Sequence, residues 1–104
     1  MKTIVIVNPA SGRGRGKKQI PTIERIMRAS GLDFDLLPSE RPWHSAEIAE
    51  AAARQGVDAV IAAGGDGTVN EVINGLMRAR LDGFAKSALG VLSIGTHGYS
   101  PISQ

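Results

Sequence analysis

Gly64-Gly65-Asp66-Gly67-Thr68 is the stretch of this chain most suited to chemistry. Three glycines in four positions let a backbone turn sharply and let a ligand approach it closely, which a Cβ would hinder. An apolar run, Val57 to Ala63, precedes the stretch, and an amphipathic pattern follows, with Val69, Val72, Ile73, Leu76 and Met77 on one stripe. Thr68 and Glu71 are spaced as a capping box, so the helix is expected to start at Thr68. Free N–H groups and the positive dipole end would then face whatever the loop holds, and phosphate matches both. A tight turn with Asp66 bonded to its own backbone is the plainer alternative. Glycines, acid and helix start coincide at the end of one strand, where open α/β sheets bind ligands.

The elements that must position this loop alternate. Strands are expected at Lys2 to Asn8, Asp33 to Leu37, Val57 to Ala63 and Ala88 to Ile94. Helices are expected from Lys18–Ile20 to Gly31, from Ala46 to Gln55 before Gly56, and from Val69 to about Arg80. Pro21 sets the first start, because proline fits best in a first turn. The alternation implies a three-layer, Rossmann-like α/β domain with a mainly parallel sheet of about four strands. The first strand is apolar throughout and suits a central place, whereas the second alternates acidic and apolar residues and suits a more exposed one. Gly95 to Gln104 carries no pattern of its own.

At 104 residues the chain suits one domain. Without cysteine it has no disulfide framework, cysteine metal site or thiol nucleophile, which is compatible with a cytoplasmic setting. The start reads as a strand and not a signal peptide, and no segment is long and apolar enough to span a bilayer. The net charge of +2 hides an asymmetry: residues 1–30 hold seven Lys/Arg against Glu24 alone, and the remainder holds five against nine acids. Arg13, Arg15, Lys17 and Lys18 alternate with glycines but with no aromatic residue, which argues against single-stranded nucleic acid as partner. A solvated loop and an anion-facing loop both remain open for them.

Two phosphate signatures fail on this first loop. The dinucleotide fingerprint begun at Gly12 and Gly14 needs a third glycine where Lys17 stands, Gly16 being one residue early. The P-loop needs glycine at Ser11 and Ser or Thr at Lys18. His44 and His97 are isolated, so no histidine metal pair exists.

The run from Gly64 to Leu76, together with Asn8-Pro9-Ala10-Ser11-Gly12, resembles the catalytic domain of diacylglycerol and sphingosine kinases, bacterial lipid kinases above all. The resemblance covers positions 1 to about 96 and implies a nucleotide-binding domain that moves the γ-phosphate of ATP, with Mg2+, to a lipid hydroxyl. By the same resemblance Asn8 and Ser11 sit beside the triphosphate, the backbone of Gly64, Gly65 and Gly67 lines it, Thr68 contacts a phosphate, and Thr96 borders the nucleotide. Asp66 links to Mg2+ directly or through water, and Arg13, Arg15 and Lys17 steer phosphate charge. Where the family has Pro-x-Gly-Thr-Gly-Asn-Asp, only Gly95 and Thr96 match; Ser93 replaces the proline, and His97, Gly98 and Tyr99 follow. Residues 97–104 are thus an atypical tail, and the family's C-terminal β domain, with the lipid pocket and catalytic base, is expected to be absent through truncation or a shifted frame. Weak MgATP binding with little lipid phosphorylation follows, with at most peripheral membrane contact. Two alternatives stand beside it: a non-catalytic interaction domain, dimeric through the edge of the fourth strand, and an NAD kinase-like activity.

Overall fold

The computed structural model of the chain describes residues 1–93. Seven elements follow one another as β1 (Lys2–Val7), α1 (Ser11–Ser30), β2 (Asp33–Pro38), α2 (His44–Arg54), β3 (Ala59–Ala63), α3 (Asp66–Leu81) and β4 (Ala88–Leu92). The four strands form one sheet in the order β2-β1-β3-β4, every neighbouring pair parallel. β1 is central and buried from Thr3 to Val7, as its unbroken apolar run requires, while β2 lies at an edge with alternate residues exposed. The expected end of the fourth strand at Ile94, like Thr96 and the tail 97–104, lies outside the described residues.

Two apolar clusters cover the two faces of the sheet. Val5, Val7 and Ala63 pack with Ile23 and Met27 of α1. Ile4, Ile6, Val60 and Ala62 pack with Ala49 and Ala52 of α2 and Val72 of α3. The chain therefore has three layers, with α1 alone on one face, the arrangement that right-handed crossovers dictate when the path leaves β1 for β2 and returns across it to β3. α2 is alanine-rich because α3 crosses it at close range: a Cβ on Gly75 would stand 2.1 Å from the Ala46 carbonyl oxygen. Gly31 and Gly56, both at positive φ (76° and 78°), end α1 and α2 where their sequence positions led us to expect.

Two starts differ from expectation. Regular helical backbone in α1 resumes at Arg15 after a left-handed stretch through Gly12, Arg13 and Gly14, so Pro21 lies inside the helix and not in its first turn. The cause is the loop before it, where the Lys17 N–H donates to the Pro9 carbonyl at 2.9 Å and fixes the helix entry ahead of Lys18. The second is α3, which begins at Asp66 with Gly65 as its N-cap. Thr68 lies within the first turn and makes no capping bond, so the Thr68–Glu71 capping box does not form. A threonine and a glutamate three apart also meet this spacing inside a helix, and here β3 ends so close to the helix that the turn is complete by Gly65.

Candidate functional site

β1 and β3 are adjacent, with Val7 paired to Ala63, so the loops that follow them emerge side by side at the C-terminal edge of the sheet. The path reverses between these strands, and such a switch point opens a crevice outside the strand ends. Asn8 and Ser11 stand on one side of it, and Gly64, Gly65, Asp66 and Gly67 on the other. Of the expected site residues, only Thr96 lies outside the described residues.

Each loop is shaped by its own chain. The Asn8 side-chain oxygen accepts the Ala10 N–H at 3.0 Å, and the Asn8 carbonyl accepts the Ser11 N–H at 3.1 Å. The Asn8 side-chain NH2, which can donate two further bonds, has no acceptor among the described residues. Gly16 returns α1 onto this turn: a Cβ there would stand 1.9 Å from the Asn8 carbonyl oxygen and 2.8 Å from the Ser11 hydroxyl. Gly16 thus does the helix-packing work of the third glycine in a dinucleotide loop, although its spacing is different. Arg13 sits at φ 59°, a left-handed conformation that costs a non-glycine residue roughly 1–2 kcal/mol.

The β3–α3 turn is made by Gly64, whose φ of 152° is open to glycine. Its N–H donates to the Leu92 carbonyl at 3.3 Å, tying the turn to β4. Thr68 is buried beneath it, its hydroxyl 3.2 Å from where a Gly64 Cβ would lie. The first helical bond of α3 runs from the Val69 N–H to the Gly65 carbonyl at 3.1 Å. The amides of Asp66, Gly67 and Thr68 precede it and have no helical acceptor, and the N-cap, being glycine, offers them no side chain. Donors left this way at the positive end of a helix dipole suit an anion.

The glycines of the site divide by what a side chain would meet. Gly16 and Gly64 are demanded by the fold, one by contact and one by φ. Gly65 and Gly67 are not: a Cβ at either would meet nothing within 4 Å, and neither has a positive φ. Open space above these two residues is where a ligand could come against the backbone. Arg13, Arg15, Lys17 and Lys18, around the start of α1, have no ion-pair partner among the described residues. No group of three His, Cys, Asp or Glu able to hold a metal occurs among the described residues. A lone Asp66 carboxylate fits Mg2+ that keeps its waters and binds phosphate oxygens, the habit of that ion, and not a protein cage.

Residues 2–98 match the diacylglycerol kinase catalytic domain. The chain belongs to that family. It is 38% identical over 92 residues to the diacylglycerol kinase of Bacillus subtilis (strain 168), covering 88% of this chain and 29% of that protein. It is 34% identical over 92 residues to the diacylglycerol kinase of Staphylococcus haemolyticus, of which it covers 27%. A crystal structure of a diacylglycerol kinase from Bacillus anthracis superposes with a TM-score of 0.72 at 29% identity, over 93% of this chain and 34% of that one. The chain thus spans less than a third of the length of these two curated relatives. The likeness agrees with the fold, a single sheet of four parallel strands between helices. No helix among the described residues is long and apolar enough to cross a membrane.

Proposed function

We propose that this diacylglycerol kinase domain binds the triphosphate of ATP in the crevice between the β1 and β3 loops and presents its γ-phosphate to a lipid hydroxyl. The observation that carries the reading is the pair Gly65 and Gly67, glycines with no internal steric reason to be glycine, set among amides that have no acceptor among the described residues. Backbone donors of Asp66, Gly67 and Thr68 would hold phosphate oxygens, and the Asn8 amide and Ser11 hydroxyl would close the opposite side. Asp66 would hold Mg2+, directly or through water; when bound, the ion neutralises the charge that builds on the transferring phosphoryl group. Arg13, Arg15 and Lys17 would raise the local concentration of the polyanion. Thr96 would border the nucleotide, by resemblance alone. The pocket for the lipid acceptor and the base that takes its proton would come from polypeptide beyond the matched part of the relatives, so little lipid phosphorylation is expected of residues 1–104 alone.

Calorimetric titration with ATP, with and without Mg2+, tests the reading on the wild-type chain, Gly67→Ala and Asp66→Asn. Saturable binding is expected, strengthened by Mg2+. Gly67→Ala should weaken it at least about tenfold while the fold is kept, since alanine suits a helix better than glycine by roughly 0.5–1 kcal/mol. Asp66→Asn should remove the dependence on Mg2+. A folded chain that shows no heat at millimolar ATP would sink the proposal.

A further inference from the structure

Trp43 is the conformational outlier of the connection between β2 and α2. Its φ of 64° is left-handed backbone, which a tryptophan adopts only at a cost, and the residue is 51% exposed. The core makes no use of it: Trp43 is in neither apolar cluster among the described residues, and as the N-cap of α2 it makes no side-chain bond to the helix. The loop around it is nevertheless firmly fixed. The Ser39 N–H donates to the Val7 carbonyl at 2.8 Å, the Glu40 N–H to Nδ1 of His44 at 2.9 Å, and the His44 N–H to the Arg41 carbonyl at 3.1 Å. The Arg41 guanidinium adds two bonds, at 2.8 and 2.9 Å, to the Glu47 carboxylate. Backbone strain held in place around a large side chain that the core does not bury points to a functional position.

The position is at the crevice edge of the sheet. Val7, whose carbonyl anchors Ser39, pairs with Pro38 on one side and with Ala63 on the other, so the connections after β2, β1 and β3 emerge in a row at the same edge. α2 and α3 pack on the same face of the sheet, which puts Trp43 and the amides of Asp66, Gly67 and Thr68 on the same side. They are not neighbours. The ends of β2 and β3 are two strand spacings apart, about 10 Å, and Ala46 meets α3 at Gly75, about 14 Å along that helix from Asp66. A separation of this order is too long for a phosphate contact and suits the reach from triphosphate to base across one nucleotide.

We propose that Trp43 is the stacking platform for the base of the nucleotide whose triphosphate lies between the β1 and β3 loops. The inference rests on that reading of the crevice and deepens it. Backbone amides and exposed cations hold phosphate oxygens but do not tell a nucleotide from any other polyphosphate; an indole face does. Stacking needs only the π-face that every base has, so Trp43 selects for a nucleobase without selecting which one, and ATP and GTP are equivalent at this point of the site. The fixed loop serves the same end, because a ring already held in place has little freedom left to lose when the base arrives.

Trp43 is the only tryptophan of the sequence, so its emission reports on the proposed contact directly. Titrations with MgATP, MgGTP and the magnesium salt of inorganic tripolyphosphate, followed by fluorescence and by calorimetry, test the proposal. Both nucleotides should quench the emission; tripolyphosphate should leave it unchanged while its heat shows that it binds. Trp43→Gly, whose glycine suits the positive φ, should weaken ATP about tenfold and leave tripolyphosphate affinity as it was. Trp43→Phe keeps an aromatic face and should retain most of the ATP affinity. Heat of ATP binding with unaltered Trp43 emission, or equal ATP affinity in Trp43→Gly and wild type, would overturn the proposal and leave the triphosphate site standing. An equal loss of ATP and tripolyphosphate affinity in Trp43→Gly would make Trp43 a support of the fold and overturn it as well. Absence of heat with ATP and tripolyphosphate alike would remove the triphosphate site and this proposal together.

Discussion

The two ends of the sheet treat charge in opposite ways. At the N-terminal end, Lys2 lies 2.8 Å from Asp35 and 3.8 Å from Asp33, its backbone N–H donates to Asp58 at 2.7 Å, and Asp58 also meets Lys86 at 3.3 Å. Every one of these charges is answered within the chain. At the C-terminal end, among the described residues, Arg13, Arg15, Lys17 and Lys18 have no carboxylate partner and the amides at the start of α3 have no acceptor. One end has its charges paired by folding, and the other leaves cations and amides unpaired among the described residues, as the proposed triphosphate site requires. The difference teaches which residues are to be tested for stability and which for binding.

The glycines give the largest effects. Gly16→Ala forces a Cβ against the Asn8 carbonyl and Gly75→Ala forces one against the Ala46 carbonyl, backbone atoms that have no rotamer to give. Each is expected to cost about 3 kcal/mol or more, the upper range for overpacking, and urea melts measure it. Gly67→Ala should do the reverse, raising the urea midpoint slightly while ATP affinity falls at least about tenfold. Equal loss of stability in Gly16→Ala and Gly67→Ala would erase the distinction between glycines of the fold and glycines of the site.

A middling effect is expected at the unpaired cations. Arg15→Ala with Lys17→Ala should leave the urea midpoint within about 0.5 kcal/mol of wild type, as for surface changes without a partner. ATP affinity should fall several-fold, and the loss should shrink as ionic strength rises, because exposed charges are screened within about 10 Å at 0.1 M salt. An affinity loss that salt does not touch would mean that the two side chains act by contact and not by field.

Much of this architecture could be read in advance, for reasons that are local. The apolar run of β1 announces a central strand, Gly31 and Gly56 announce helix ends, and Gly64 to Gly67 announces the turn at the site. What sequence missed depends on contacts distant along the chain. Gly75 is legible only beside Ala46, although a glycine within an apolar helix stripe is itself a signal of close helix approach. Gly16 has the wrong spacing for a dinucleotide fingerprint, yet it supports the Asn8 turn. The helix starts were misplaced because Pro21 and Thr68 each have a favoured position and a tolerated one, and tertiary entry points chose the tolerated one. Trp43, at φ 64° before α2, gave no sign of its left-handed backbone.

The smallest effect belongs to the paired end and is best seen through pH. Asp58 is held below its ordinary value of 3.8, first by the Lys2 backbone N–H that it accepts and then by Lys86. A carboxyl whose folded value is depressed adds stability that is complete above its unfolded value and disappears as pH falls through the folded one. Lys2 is the mirror case: its value lies above the ordinary 10.5, chiefly through Asp35, so its contribution is complete below that pH and is lost as pH rises through the raised value. The urea midpoint of the wild-type chain should therefore be flat near neutrality and fall below about pH 4. Asp58→Asn should lower the neutral midpoint slightly and make the acid fall shallower, with ATP affinity at pH 7 unchanged. If Asp58→Asn weakened nucleotide binding as well, the two ends of the sheet would be coupled, and the division between a closed end and an open one would fail.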